Sequence, residues 1–544
     1  MTRIKYARMV AAVSLPLLLA ALTTSVTGQA AARTGPQPPG PAAASQTPHK
    51  GGGGTGFGRF VYGHDTHHDV SPPLRSIAPI TTAPGSPQIP DYNIPAKTWP
   101  YKKDPAVQTS ARVAAMPSAT ENFAGVSAAN VASLNSGSYF IPPDVEGAVG
   151  PNNYFQWVNI AFEIWNKSGA SVYGPANGNT LWTHFNDSNG SDVCRTTNQG
   201  DPVVRYDAFN QRWVATQFAF AVSGGKPTSP FAECFAVSAT SDPLGSWYRY
   251  EFAMTGPTNS NELNDYPKVG IWSDGYYFSV NWFNGNTFDG SGIFAIESAA
   301  MIKGQSARIV QQNIAGFGTL LPADVEGFTP PPAGEHEWFI ARTGSSTVLN
   351  YWQLNPNFGG SATLAGPTGV TVDTYNLDTC SGSSLTCVAQ PGTSQKLDTL
   401  GDRLMYRFTY RNLGLHEAFT VNQTVNAATV GNQAGVRWYE FYATSSTTLT
   451  MNQDGTYAPL TDTHERWMGS TAMDHNEDIA VGFTESDGSL ATPLDPSDEF
   501  AGRLAGDAAG TLGQGETTLM AGGGVTSSGG NRWGDYSTMN IDPV

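Results

Sequence analysis

Carboxylates open a series of loosely repeated segments in this chain. Pro143-Asp144-Val145-Glu146-Gly147 returns, nearly unchanged, as Pro322-Ala323-Asp324-Val325-Glu326-Gly327. Gly200-Asp201-Pro202, Asn264-Asp265-Tyr266-Pro267, Gly401-Asp402-Arg403 and Gly534-Asp535-Tyr536 follow the same plan of a turn, an acid, then an aromatic-rich stretch. If the fold gathers these acids in a partly dry funnel, their mutual repulsion raises some pKa values and leaves others low. Glycosidic cleavage by a paired acid and base, or acid and nucleophile, needs that split. Glu146, Asp265 and Glu326 are the candidate catalytic carboxylates; in the two glutamates a long side chain beside a glycine is a poor local cap. The shorter Asp144, Asp201, Asp324, Asp402 and Asp535 could instead hold calcium through their oxygens. The plainer reading is that each caps its own turn. No cofactor is required by either reading.

Three arginines also stand at these openings: Arg403, Arg466 and Arg532. Guanidinium groups converging on one place make a planar clamp for a carboxylate. With Tyr266, Trp467 and Trp533 beside them, they could position an acidic sugar. They could equally pair with the neighbouring aspartates and only neutralise them. A polysaccharide lyase would use the same pocket with Tyr266 or His416 as the base. His416-Glu417 otherwise reads as a hydrogen-bonded surface pair. The run His64-Asp65-Thr66-His67-His68-Asp69 is the densest histidine cluster, and an exposed polar loop is expected there rather than a metal site. No G-x-S-x-G elbow, H-E-x-x-H helix, phosphate loop or C-x-x-C pair is present, which disfavours serine hydrolase, zincin and nucleotide chemistry.

The elements that must position these residues are short strands. The marks recur at intervals of about 57 to 78 residues. Within one interval Arg205–Arg212, Trp213–Phe218, Cys234–Ser238 and Ser246–Phe252 read as a four-strand meander, the unit of a propeller blade. An all-β propeller of about seven four-stranded blades is therefore expected. Only one strand, 535–540, follows the last mark. A lone strand would leave an unpaired edge, so residues from about 120 to 140 are expected to complete the last blade. Four cysteines suggest two disulfides, Cys380 with Cys387 and Cys194 with Cys234.

Composition agrees with this architecture. The 60 glycines and 37 prolines in 544 residues exceed the usual share of about 12%, and the charged fraction of 14% is well below the usual ~25%. A net charge of −16 argues against nucleic acid as a partner. Arg3, Lys5 and Arg8 precede a short apolar run and then Ala30-Ala31-Ala32, the layout of a secretory signal peptide over 1–32. Residues 33–118 read as a Pro/Gly-rich linker or propeptide, and 119–544 as the propeller. No later run is apolar enough to span a membrane. The expected product is an extracellular monomer.

GDPVVRYD (200–207), SDPLGSWYRYEF (241–252), NDYPK (264–268), GDRLMYR (401–407), ERWMGSTAMD (465–474) and NRWGDYS (531–537) together resemble a family of secreted bacterial β-propeller proteins without an established activity. The resemblance covers about residues 140–544 and implies fold and export. Thr240–Trp247 more distantly resembles the Asp-box turn of sialidase-type propellers, with one extra residue between Asp242 and Gly245. Together these readings point to a secreted carbohydrate-active enzyme. Its substrate would be an extracellular polysaccharide or glycoconjugate, anionic if the arginines serve it. A glycoside hydrolase is favoured over a lyase. A rigid propeller that only binds a glycan or protein is the alternative of a different class.

Overall fold

The computed structural model describes residues 54–544 apart from 82–91, 96, 110–115, 190–191, 381, 383, 430, 460–461, 490 and 528–529. The expected signal peptide, 1–32, lies outside the described residues. The rest is nearly all β and is arranged as a β-propeller of successive antiparallel meanders. Six four-stranded blades are described, with inner strands Val145–Val149, Val203–Asp207, Leu263–Ile271, Leu321–Val325, Met405–Asn412 and Glu465–Met473. Each inner strand touches the next in order. Blades 4 and 5 are joined directly, Ala323–Val325 pairing in parallel with Phe408–Tyr410.

Among the described residues the seventh mark forms no blade of its own. Asp535-Tyr536 opens no sheet. Its backbone runs between the inner strands of blades 6 and 1 instead. Val145 N–H donates to Asp535 O at 2.9 Å, Ser537 Oγ to Met468 O at 2.6 Å, and Asn540 Nδ2 to Gly147 O at 3.0 Å. Residues 120–140 contribute no strand to blade 6. They contain the helix Ala128–Leu134, begun by a reciprocal Ser127–Asn130 capping box, whose Val131 and Leu134 pack on Val158, Ile160 and Ala161 of blade 1.

Within the stretch 33–118, read from composition as a linker, two segments are strands. His67–Val70 adds a fifth strand to blade 2 and Phe60–His64 a fifth to blade 3. Both cover outer edges that would otherwise present open backbone groups. The histidine cluster is thus part of the fold. Asp65 accepts from Ala307 N and pairs with His68, and Asp69 forms a two-pronged bond with Arg249.

Alternation along the blades buries Val, Phe and Trp between neighbouring sheets, with Trp157, Trp213, Trp282, Trp338 and Trp438 all sealed from solvent. The two disulfides are Cys194–Cys234 and Cys380–Cys387. The first ties the helix Val193–Thr196 to the third strand of blade 2. In the Thr240–Trp247 turn, Asp242 Oδ1 accepts from Leu244 N and Trp247 Nε1 donates to Pro243 O.

Candidate active site

The middle of the channel is filled with charge. Glu146, fully buried, lies 3.5 Å from the ammonium of Lys268 and accepts from Thr538 Oγ1 at 3.2 Å. Arg205 and Arg407 both place Nε 2.7 Å from Asp324 Oδ2, and Arg407 Nη1 also pairs with Glu326. Three cations and three carboxylates therefore neutralise one another in a plug. Lys268 also sits over the rings of Tyr266, Tyr406 and Tyr536, which lowers the cost of burying it. Burial still pushes the Glu146 carboxyl up to about 7. Glu146 and Glu326, expected at the channel mouth as catalytic groups, are structural members of this plug.

Above the plug, at the end where inner strands begin, lies a cavity that is partly open to solvent. Asp144 from blade 1, Asp201 from blade 2 and Asp265 from blade 3 face into it, with Tyr266, Arg403 and Arg532. Tyr92 and the segment Phe140–Pro142 contribute to its walls, as do Asn159 and Tyr536. The Asp144 and Asp201 carboxyls hydrogen-bond to each other. Asn159 Nδ2 donates to Asp144 Oδ2 at 2.7 Å, and Tyr266 N–H to Asp201 Oδ2 at 3.2 Å. Burial first, then the Asp201 and Asp535 charges, hold the Asp144 carboxyl well above the usual carboxylate range. Asp201 is raised by burial but restrained by Lys268 and the Tyr266 amide. Both carboxyls of the pair are therefore held above the usual carboxylate range, Asp144 the further.

The backbone here is left-handed, with φ of 42° at Asp144, 44° at Asp201 and 57° at Tyr266. That alone does not mark a site. Thr319, Leu400 and Met468 have φ of 54°, 43° and 54° near the upper ends of the other three inner strands. The kink is a repeat of the architecture. Aspartate is one of the few residues that adopt it without much cost, which explains its use in blades 1 and 2.

The arginines are already engaged. Arg403 makes a two-pronged bond to Asp402, at 2.8 and 3.1 Å, and Arg532 pairs with Asp535. Arg403 also lies over the Tyr266 ring. They reach the mouth as expected, but as neutralised pairs. Arg466 does not reach it: buried in blade 6, it pairs with Asp462, Glu485 and Glu516. Trp467 is fully buried beside Met468 and Tyr536, and Trp533 packs on that cluster. His416 pairs with Glu477 at 2.8 Å, and Glu417 with Tyr410.

The five aspartates considered for calcium do not form one oxygen cage. Asp324, Asp402 and Asp535 each take a guanidinium, which satisfies their charge without an ion. Among the described residues, Asp462, His464 and Glu485 approach metal-ligand spacing, but Arg466 is bonded to both acids. Residue spacing missed Asn159 and Gln199, which fall between the marks. Tyr536 was legible, since it follows the Asp535 mark directly.

No family model matches this chain, and no curated protein does. Among solved structures it is similar to a GH43 endo-arabinanase from Bacillus licheniformis, at 11% identity over 56% of this chain and 92% of that one, with a TM-score of 0.25. A GH43 β-1,3-galactosidase with galactodeoxynojirimycin is similar at 10% identity over 58% and 95%, with a TM-score of 0.29. A thermostable family-43 glycoside hydrolase is similar at 9% identity over 68% and 93%, again at 0.29. Superpositions this loose leave the site to be read from its own residues.

Proposed function

We propose that this chain is a secreted glycoside hydrolase that cleaves a neutral polysaccharide or glycoconjugate at the channel mouth. One observation carries the reading. Aspartates from three successive blades face one cavity, and two of them are buried and hydrogen-bonded to each other. Asp144, held protonated, donates that proton to the leaving glycosidic oxygen. Asp201 stays ionised, holds Asp144 in place and keeps its pKa high. Asp265 serves as the base or nucleophile on the substrate. Tyr92, half-buried in the cavity wall, offers a ring for stacking on a sugar. Because Arg403 and Arg532 are neutralised by Asp402 and Asp535, no spare cation favours an anionic sugar here. That argues against the lyase reading, which needs a free clamp for a uronate. Two disulfides fit an oxidising, extracellular destination.

The test is release of reducing ends by the purified protein from a panel of neutral and acidic polysaccharides. Neutral substrates should be cut without the absorbance of an unsaturated uronate. Asp144→Asn and Asp265→Asn should each lower kcat by about 10²–10⁴-fold. Silence across the panel, or activity that survives both substitutions, would sink the proposal.

A further inference from the structure

At the opposite end of the channel, where the inner strands finish, lies a second cavity, partly open to solvent. Arg205 and Glu326 reach it from the plug, and none of its donors and acceptors takes part in the proposed reaction. Arg411 lines it and is only 8% exposed. Its Nε donates to Met473 O at 2.7 Å, while Nη2 is buried without a hydrogen-bond partner. A Cβ on Gly327 would stand 2.8 Å from Nη1, so glycine at 327 keeps room for the guanidinium. Glu326, 6% exposed, gives Arg407 one carboxylate oxygen, and its Oε2 is buried without a hydrogen-bond partner. Phe328 lines the same cavity and is 57% exposed.

A buried N–H left unmet is costly, and a ligand acceptor that meets it offsets part of that cost. Of the other charges nearby, Arg205 is engaged by Asp324 and Asn540, and Asp542 by Lys167. Glu326 and Asp474 attract the Arg411 charge and Arg407 opposes it. His475 also lines the cavity. We infer that this base cavity binds a uronic acid residue, its carboxylate on Arg411, a ring hydroxyl donating to Glu326 Oε2, and its ring face on Phe328. A guanidinium edge presents parallel N–H groups that a carboxylate matches better than a single neutral acceptor does. The unmet acceptor at Glu326 favours a polyhydroxylated ligand over a peptide C-terminus. The inference is independent of hydrolysis at the mouth, which lies beyond the plug.

Calorimetric titration with D-glucuronate tests it, against D-glucose (ring without carboxylate), acetate (carboxylate without ring) and N-acetylphenylalanine (a peptide-like carboxylate). Glucuronate should bind at least about tenfold more tightly than any of the three. Arg411→Gln should abolish that binding, and Phe328→Ala should weaken it about threefold to tenfold. Phe328 is exposed, so its variant reports even if Arg411→Gln does not fold. Asp144→Asn should leave the titration unchanged while removing hydrolysis. Equal binding of glucose, tighter binding of N-acetylphenylalanine, loss of binding in Asp144→Asn, indifference to Phe328→Ala, or no binding at all would each overturn the inference.

Discussion

Asp144 and Asp201 illustrate how position converts two ordinary acids into a proton donor and its holder. Burial raises both; Lys268 and Arg532 favour the charged form of each, and the Tyr266 amide favours that of Asp201 alone. If Asp144 is the acid, activity is lost as pH rises through its raised pKa. Asp201→Asn removes the neighbouring negative charge and should move that alkaline limb of the kcat–pH profile to lower pH. An unmoved limb would take Asp144 out of the acid role. A second buried acid reports on stability alone. Glu233, bonded to Thr216 and Asn264, is pushed up to about 8 by burial. An unfolded glutamate titrates near 4.3. The folded state therefore holds the proton more tightly, and stability falls as pH climbs from about 4.3 to about 8. Glu233→Gln should melt like the parent at pH 4 and above it at pH 9. Identical pH slopes in thermal melts would contradict this.

At the scale of the strand, one or two residues of register decide what a side chain does. PDVEG and PADVEG look like one motif, yet Asp144 sits at the left-handed kink of blade 1, whereas blade 4 has its kink at Thr319. Asp324 is thus five residues further down its strand than the motif implies, inside the plug. Arg466 fails for the same reason: the kink of blade 6 is Met468, and Arg466 precedes it. Asp265, Tyr266, Arg403 and Arg532 were legible because they lie at the strand ends that converge. Glu146 follows Asp144 by two residues and so points into the plug toward Lys268. Glu146→Gln should leave kcat within about twofold but lower Tm, since removing a partner from a buried ion pair costs about 3–5 kcal/mol. A collapse of kcat at unchanged Tm would restore Glu146 to the chemistry. The Cys194–Cys234 bridge acts at this scale too. Its 40-residue separation predicts a loss of about 4 kcal/mol in the Cys194→Ala/Cys234→Ala double variant, measured by denaturant titration.

For the whole molecule, ring closure is the decisive event. Blades 6 and 1 meet through the extended segment 535–540, whose bonds to Val145, Gly147, Met468 and Ser470 replace direct strand pairing. The same segment brings Tyr536 to the mouth and Thr538 to Glu146. Removing Arg532–Val544 should therefore cost both stability and the mouth. Thermal melts are expected to show a lower and broader transition, with no reducing-end release. A truncated chain that melts and hydrolyses like the parent would mean that the ring closes without this segment.

The sequence alone determined the fold class, the repeat and some of the residues that line the mouth, Asp144, Asp201, Asp265, Tyr266, Arg403 and Arg532. Strand alternation, turn residues and spacing are local properties, and they survive being read one segment at a time. Which acids meet, which arginines are spent on neighbours, and how many blades close the ring were decided by tertiary structure. Those outcomes depend on distances between residues hundreds of positions apart, and on burial, which raises the Asp144 carboxyl and hides Glu146. A shift of one residue turns a side chain to the other face of its strand, and no local pattern in this chain records that shift.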